Sequence, residues 1–318
     1  MIHEVVIISG KGGTGKTSIT AALAFLAQPV VLADCDVDAP DLHLLTQPTL
    51  LDRQPFSGGK KAIIHSANCW GCGLCAMTCR FDAIHRENSG KGVTGITYAV
   101  DAMACEGCKA CVVKCPAQVI TFESIHNGEQ MVSTTSLGPM AHARMNPGEE
   151  NSGKLVSSVR NQARQIAQQH KLKLILVDGS PGIGCPVIAS LTGASAALVI
   201  TEPTPSGEHD ALRVMQLAKQ MRVPLALCVN RWDINPQLTN QLENQASQLG
   251  AFITGRIRQD KAMVDAQMLG LSIMQYKPTE VARDICHVYE QLKHLGWLGA
   301  SSSTCHPQGV VYEDRSAR

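Results

Sequence analysis

A glycine-rich loop between a wholly apolar run and an alanine-rich stretch constrains this chain more than any other feature. Val5-Val6-Ile7-Ile8 has no polar member, as expected of a strand covered on both faces of a parallel sheet. Gly10-Lys11-Gly12-Gly13-Thr14-Gly15-Lys16-Thr17 follows and satisfies G-x-x-x-x-G-K-[ST], and Ser18–Ala27 reads as helix. Glycines in such a loop let backbone N–H groups turn inward and cradle phosphates at a helix N-terminus. Gly12, Gly13, Thr14, Gly15, Lys16, Thr17 and Ser18 are therefore candidate ATP contacts. Lys16 is expected at the β- and γ-phosphates and the Thr17 hydroxyl on Mg²⁺. A tight turn without nucleotide is the competing reading, and it fits this strand–loop–helix context poorly.

Further apolar runs at Val30–Ala33, Leu174–Val177, Ala197–Ile200 and Leu225–Val229 alternate with helix-like stretches at Lys154–His170 and Gly207–Arg222. This pattern predicts an α/β fold, a doubly wound and mostly parallel sheet of P-loop NTPase type. Ligands then bind at the carboxyl ends of its strands. Thr279–Leu295, with apolar residues at helical spacing, is expected to pack on the sheet. Asp178 closes its apolar run, where an acidic residue beside a P-loop holds Mg²⁺ directly or through water. Asp34, Asp36 and Asp38 follow the second run; for Asp36 and Asp38, ordinary turn chemistry before Pro40 stays open.

The alternation stops between about Gly58 and Phe122, where eight of the 13 cysteines lie. Cys69-x2-Cys72-x2-Cys75-x3-Cys79 is followed, after 25 residues, by Cys105-x2-Cys108-x2-Cys111-x3-Cys115-Pro116. In two-cluster ferredoxins the fourth cysteine of each such run ligates the other cluster. One [4Fe–4S] cluster is thus assigned to Cys69, Cys72, Cys75 and Cys115, and the other to Cys105, Cys108, Cys111 and Cys79. Zinc competes for C-x2-C pairs, but two complete four-cysteine runs suit iron–sulfur better. Arg80 stands where the ferredoxin pattern has proline. It reads as a tolerated turn variant, although a cation there also adds positive charge beside a cluster.

Cysteine is about 4% of the chain, below the ~8–10% of a disulfide scaffold, and the start Met1-Ile2-His3-Glu4 lacks a secretory n-region. A cytoplasmic, reducing setting is expected. A net charge of +1 gives no basic field for nucleic acid. Charged residues make up 17%, against roughly 25% in an ordinary globular chain, which argues against disorder. No apolar run reaches the ~18 residues of a membrane span. The 11 histidines are scattered without ligand spacing, and Cys228 and Cys286 read as packed thiols.

Lys11 through Thr17, with a lysine at the start of the loop, resembles the deviant P-loop of the MinD/ParA/Mrp and nitrogenase-iron-protein group. With the eight-cysteine insert, the chain resembles MinD-superfamily ATPases that contain an inserted ferredoxin domain. The resemblance implies residues 1–57 and 125–300 as the ATPase domain, 58–124 as a small α+β bacterial-ferredoxin-like insert, and 301–318 as a flexible tail. It implies an ATP-sandwich homodimer in which Lys11 reaches the partner's phosphates. Asp36 would position the attacking water, Asp34 would lie on the Mg²⁺ side, and Asp178–Gly184 would form a switch loop. Asn230-Arg231 would contact adenine, with Ile257–Asp260 near the base; strand capping is the simpler role for Asn230. Cys185 lies at the offset from Asp178 at which nitrogenase iron protein has a cluster-ligating cysteine, and a plain Gly-Cys-Pro turn is the competing reading.

The function expected is a MgATP-hydrolysing iron–sulfur protein, coupling nucleotide state to electron transfer toward an unidentified redox partner protein. An Mrp-type cluster carrier or scaffold is the alternative, weakened because no C-x2-C lies outside the two runs. A MinD-like positioning ATPase is a third, weakened because Ser301–Arg318 has no apolar face to serve as a membrane anchor.

Overall fold

The computed structural model describes residues 2–147 and 152–298; the tail expected at 301–318 lies outside them. The chain begins β1 (His3–Ser9), α1 (Lys16–Leu26), β2 (Val31–Asp34), α2 (Leu42–Thr46), β3 (Thr49–Phe56). It continues β4 (Gly59–Ile64), α3 (Leu74–Thr78), β5 (Ile84–Glu87), β6 (Thr97–Val100), α4 (Ala110–Lys114), β7 (Ile120–Ile125), β8 (Gly128–Thr135) and β9 (Gly138–Met145). Then come α5 (Ser152–Gln169), β10 (Leu174–Pro181), α6 (Cys185–Leu191), β11 (Ala196–Thr201), α7 (Pro205–Gln220) and β12 (Leu225–Asn230). The last elements are α8 (Pro236–Leu249), β13 (Phe252–Ile257), α9 (Lys261–Met268), α10 (Ile273–Tyr276) and α11 (Glu280–His294).

The chain divides into two units. Among the described residues, the first comprises those up to Gln54, Gln130–Arg144 and 152–298; the second comprises Pro55–Glu129 and a short stretch beginning at Met145.

Among the described residues, one large sheet has the order β13-β12-β11-β1-β10-β2-β9-β8-β3. Every pairing from β13 to β9 is parallel. The order runs outward in both directions from β1, so the crevice above the carboxyl ends of β1 and its neighbours is the expected ligand site. The central strands are continuous apolar runs because both faces are covered: Val5–Ile8, Ile175–Val177 and Ala197–Ile200 are buried almost to the last atom. Helix α11 presents Val281, Ile285, Val288, Tyr289 and Leu292 to one core, which also holds Ile19 and Leu23 of α1. Buried Glu4 on β1 pairs with Arg160 and, at 2.6 Å, with Arg164, fixing α5 to the sheet. Removing Glu4 would leave the buried Arg160 guanidinium without its carboxylate partner in the interior.

In the second unit β4 pairs antiparallel with β7, and β5 with β6. The short helices α3 and α4 start at Leu74 and Ala110, 36 positions apart. Ala62, Cys75, Ile84, Cys111 and Ile120 form its small core. No helix among the described residues is long and apolar enough to cross a membrane.

Candidate functional site

The candidate phosphate-binding residues follow from strand ends. The P-loop leaves β1, Asp34 ends β2 with Asp36 just beyond, Asp178 lies in β10, Glu202 follows β11, and Asn230 ends β12. These are adjacent parallel strands, so residues far apart in sequence gather at one edge of the sheet. Gly15 takes φ +85°, and a Cβ there would come 2.5 Å from Asn230 Nδ2. Glycine is required on both counts. The close approach serves the loop, because Asn230 Nδ2 donates to the Thr14 carbonyl at 2.8 Å. Asn230 therefore braces the P-loop from β12, while its Oδ1 accepts from the Arg231 N–H.

Lys16 is 6% exposed, with Nζ 2.9 Å from Asp178 Oδ1 and 3.5 Å from Asp36 Oδ2. Asp178 also accepts from Thr17 Oγ1 at 2.7 Å and Thr20 Oγ1 at 3.0 Å. Burial works against the Lys16 ammonium, but Asp178, Asp36 and Asp34 outweigh it and raise its pKa. Burial pushes the Asp36 carboxyl up to about 6 against the pull of Lys16. Asp34 is fully buried and its pKa is raised well above the ordinary value, by burial first and by Asp178 next. Its carboxylate accepts from the N–H groups of Asp36 and Leu42, both at 3.2 Å. Asp34 thus shapes the loop that carries Asp36.

Thr14 Oγ1 is buried with no hydrogen-bond partner among the described residues. A buried hydroxyl left unpaired is costly, and a bound phosphate oxygen would satisfy it. Ser18 is buried and its hydroxyl accepts from Gln267 of α9. The Asp178–Gly184 segment is tied back by Ser180 Oγ donating to the Cys35 carbonyl (2.6 Å) and by Gly182 N–H donating to the Ser9 carbonyl (2.9 Å).

Lys11 lies on Glu202 of its own chain, Nζ to Oε1 at 2.6 Å, with Ser206 Oγ at 3.1 Å. Arg231 Nη1 reaches the other Glu202 oxygen at 2.9 Å. Glu202 joins the two cations and was not singled out from sequence; its signal was its place just after the apolar run Ala197–Ile200. The Ile257–Asp260 stretch is organised by Asp233, which accepts from the Gln259 N–H, and by Asp284, which binds Arg258 through two oxygens.

The second unit holds two small clefts of similar size. Cys69, Cys72, Cys75 and Cys115 line the first; Cys79, Cys105, Cys108 and Cys111 line the second. A Cβ at Gly107 (φ +65°) would fall on the Lys60 carbonyl oxygen, so this loop closes only with glycine. The Gly71 N–H donates to Cys69 Sγ at 3.4 Å. Burial pushes the Cys75 thiol up to about 11, so a thiolate there needs a strong cationic partner. Four sulfurs around one cleft, with an amide aimed at sulfur, fit an iron–sulfur cluster. No three His, Cys, Asp or Glu side chains among the described residues converge on a single-ion site.

Cys185 is exposed at the start of α6. Cys228 is a fully buried free thiol in β12. Cys286 is packed in the main core, as expected, but is disulfide-bonded and not a free thiol.

Residues 5–273 match the family model of the CobQ/CobB/MinD/ParA nucleotide binding domain. An uncharacterized protein of Methanocaldococcus jannaschii is 32% identical over 240 residues, covering 74% of this chain and 80% of the relative. The iron-sulfur cluster carrier protein of Pyrococcus abyssi is 22% identical over 309 residues, covering 91% and 85%. The septum site-determining protein MinD of Pyrococcus horikoshii, solved with Mg-ADP, superposes with a TM-score of 0.57 at 17% identity, covering 93% of this chain and 98% of that one. That likeness is one of fold. The matched family model spans the P-loop, Asp178 and Asn230 together, and the chain belongs to the CobQ/CobB/MinD/ParA nucleotide-binding family.

Proposed function

We propose that this protein is a homodimeric MgATP-hydrolysing ATPase that couples nucleotide state to electron transfer through two [4Fe–4S] clusters. The observation that carries the redox half is the lining of the two clefts, each with three cysteines of one run and the fourth of the other. The ATPase half is supported by family membership and by the unpaired Thr14 hydroxyl inside the P-loop.

In this reading the P-loop amides and Lys16 would hold the β- and γ-phosphates, and Thr17 with Asp178 would hold a Mg²⁺ ion that supplies charge neutralisation at the phosphates. Asp36 orients the attacking water, and its pKa of about 6 leaves it largely ionised at neutral pH. Lys11 leaves Glu202 and supplies positive charge to the partner's phosphates, stabilising the charge that develops as phosphate departs. Asn230 and Arg231 lie beside the P-loop as candidate adenine contacts. Cys69, Cys72, Cys75 and Cys115 would hold one cluster and Cys79, Cys105, Cys108 and Cys111 the other. Such clusters supply reversible one-electron storage. Dimer closure around ATP would change what the switch loop presents to a redox partner protein.

The test is anaerobic purification, iron and sulfide analysis, and redox titration with and without MgATP. About eight irons per chain and a potential, or a partner-reduction rate, that moves with MgATP are expected. Unmoved values would leave hydrolysis and redox chemistry as two independent activities. Cluster delivery is the second reading, supported by the similarity over 309 residues to proteins named iron-sulfur cluster carriers. Rapid donation to an apoprotein or a chelator would favour it; clusters that stay bound through reversible titration favour electron transfer.

A further inference from the structure

Lys11 is held within its own chain by the turn that joins β11 to α7. Its Nζ lies 2.6 Å from Glu202 Oε1, 3.1 Å from Ser206 Oγ and 3.3 Å from Thr204 Oγ1. That turn is itself fixed. Thr204 Oγ1 caps α7 by accepting from the Gly207 N–H at 3.1 Å, and Thr201 Oγ1 donates to the Gly207 carbonyl at 2.9 Å. A Cβ at Gly207 would fall 2.4 Å from the Glu202 carbonyl oxygen, so the turn closes only with glycine. The start of the P-loop is pinned as well. Ser9 Oγ donates to the Lys11 carbonyl at 2.8 Å, and a Cβ at Gly10 would lie 2.4 Å from the Asp210 carbonyl carbon on α7. Glu202 carries a second cation on its other oxygen, Arg231 Nη1 at 2.9 Å. Its carboxylate, 13% exposed, thus keeps a partner when Lys11 departs, and no charge is stranded.

We propose that Glu202 is a positioning residue for Lys11: it retains the ammonium in its own chain until MgATP draws two chains together, and Arg231 then neutralises the carboxylate alone. The inference rests on the homodimer reading above. One ammonium cannot sit on Glu202 and on the partner's phosphates at once, so whatever holds it in the open state opposes closure. The opposition is mild, because an ion pair this solvated is weak. It shifts the nucleotide concentration at which dimers form and leaves the single chain's hold on nucleotide as it is.

The experiment compares the full wild-type chain, purified anaerobically, with Glu202→Gln and Glu202→Ala. Sedimentation velocity is followed as Mg²⁺ and a non-hydrolysable ATP analogue are added. Glu202→Gln should lower the analogue concentration for half-maximal dimer by at least about threefold. Glu202→Ala should move it the same way, and ADP should bind no more tightly than to wild type. A second readout needs no dimer. In nucleotide-free Glu202→Gln, Lys11 should react at least about threefold faster with an amine-acylating reagent, scored by peptide mass spectrometry. Lys261, 87% exposed on α9, should react at the wild-type rate. A wild-type chain that stays monomeric at saturating analogue overturns the homodimer reading, and the proposal with it. A midpoint unmoved or raised by Glu202→Gln, unchanged Lys11 acylation, or an ADP affinity that tightens by the same factor as the midpoint overturns the proposal alone. If Glu202→Gln does not fold, Glu202→Ala decides on the same readouts.

Discussion

Lys16 Nζ lies 2.9 Å from Asp178 Oδ1, and neither side chain is more than 6% exposed. One carboxylate therefore serves both the loop lysine and, through its second oxygen, the Thr17 hydroxyl. Asp178→Asn leaves the Lys16 charge in the interior without its main partner. Such a break costs about 3–5 kcal/mol, and the loss of Mg²⁺ positioning should cut phosphate release by at least about 100-fold. Thermal melts and steady-state phosphate assays check both. An active, undiminished variant would show that Asp178 is a structural anchor alone.

Lys11 behaves differently because its ion pair with Glu202 is partly solvated, at 29% and 13% exposure. Lys11→Ala should change stability by no more than about 1 kcal/mol. Hydrolysis should nevertheless fall by about 10³-fold, the scale of a cation supplied in trans, with ATP binding retained. Mixing Lys11→Ala with Asp36→Ala protomers provides the sharper check. Each mixed dimer contains one site with an intact Asp36 and an intact opposing Lys11, so activity should return on mixing. Two inactive variants that stay inactive together would place Lys11 in its own chain's site.

What could be read in advance was what is local in the chain. The P-loop, the aspartate ending an apolar run and the two cysteine runs each lie within about ten residues, so spacing alone identifies them. Strand β8 was missed, since Gly128–Thr135 alternates polar residues and carries no buried apolar run, and β9 was missed because His142 and Arg144 interrupt its apolar residues. The insert was expected at 58–124, whereas the second unit runs Pro55–Glu129 and takes in a stretch beginning at Met145. Glu202 escaped notice for a different reason. Its pairing with Lys11 and Arg231 joins residues that only strand order brings together, and no sequence period encodes that.

The cleft linings make a prediction about redundancy. Cys115 lines the cleft of Cys69, Cys72 and Cys75, although it belongs to the second run. With Cys69, Cys72 and Cys75 all changed to Ser, about half the iron should remain, in one cluster. Adding Cys115→Ser should then remove nothing further, whereas adding Cys79→Ser should deplete the remaining cluster. Iron content per chain is the readout, and the opposite pattern would mean that each run closes on its own cluster.

Acid sensitivity should trace in part to His142 on β9. Burial first, then the charges of His43 and Arg53, lower its pKa to about 4, and its Nε2 lies 2.8 Å from Ser133 Oγ. The folded protein keeps this ring neutral, whereas the unfolded chain takes up a proton below about pH 6.5. Stability is therefore complete above that value and is lost as pH falls toward 4, by up to about 3 kcal/mol. Asp36 acts with the opposite sign: its pKa of about 6 is raised above the unfolded value, so its contribution grows as pH falls through that window. His142→Gln keeps a polar partner for Ser133 but cannot titrate. Urea midpoints at about pH 7 and about pH 5 should fall less between the two for His142→Gln than for wild type. Parallel losses in the two proteins would assign the acid limb to other groups.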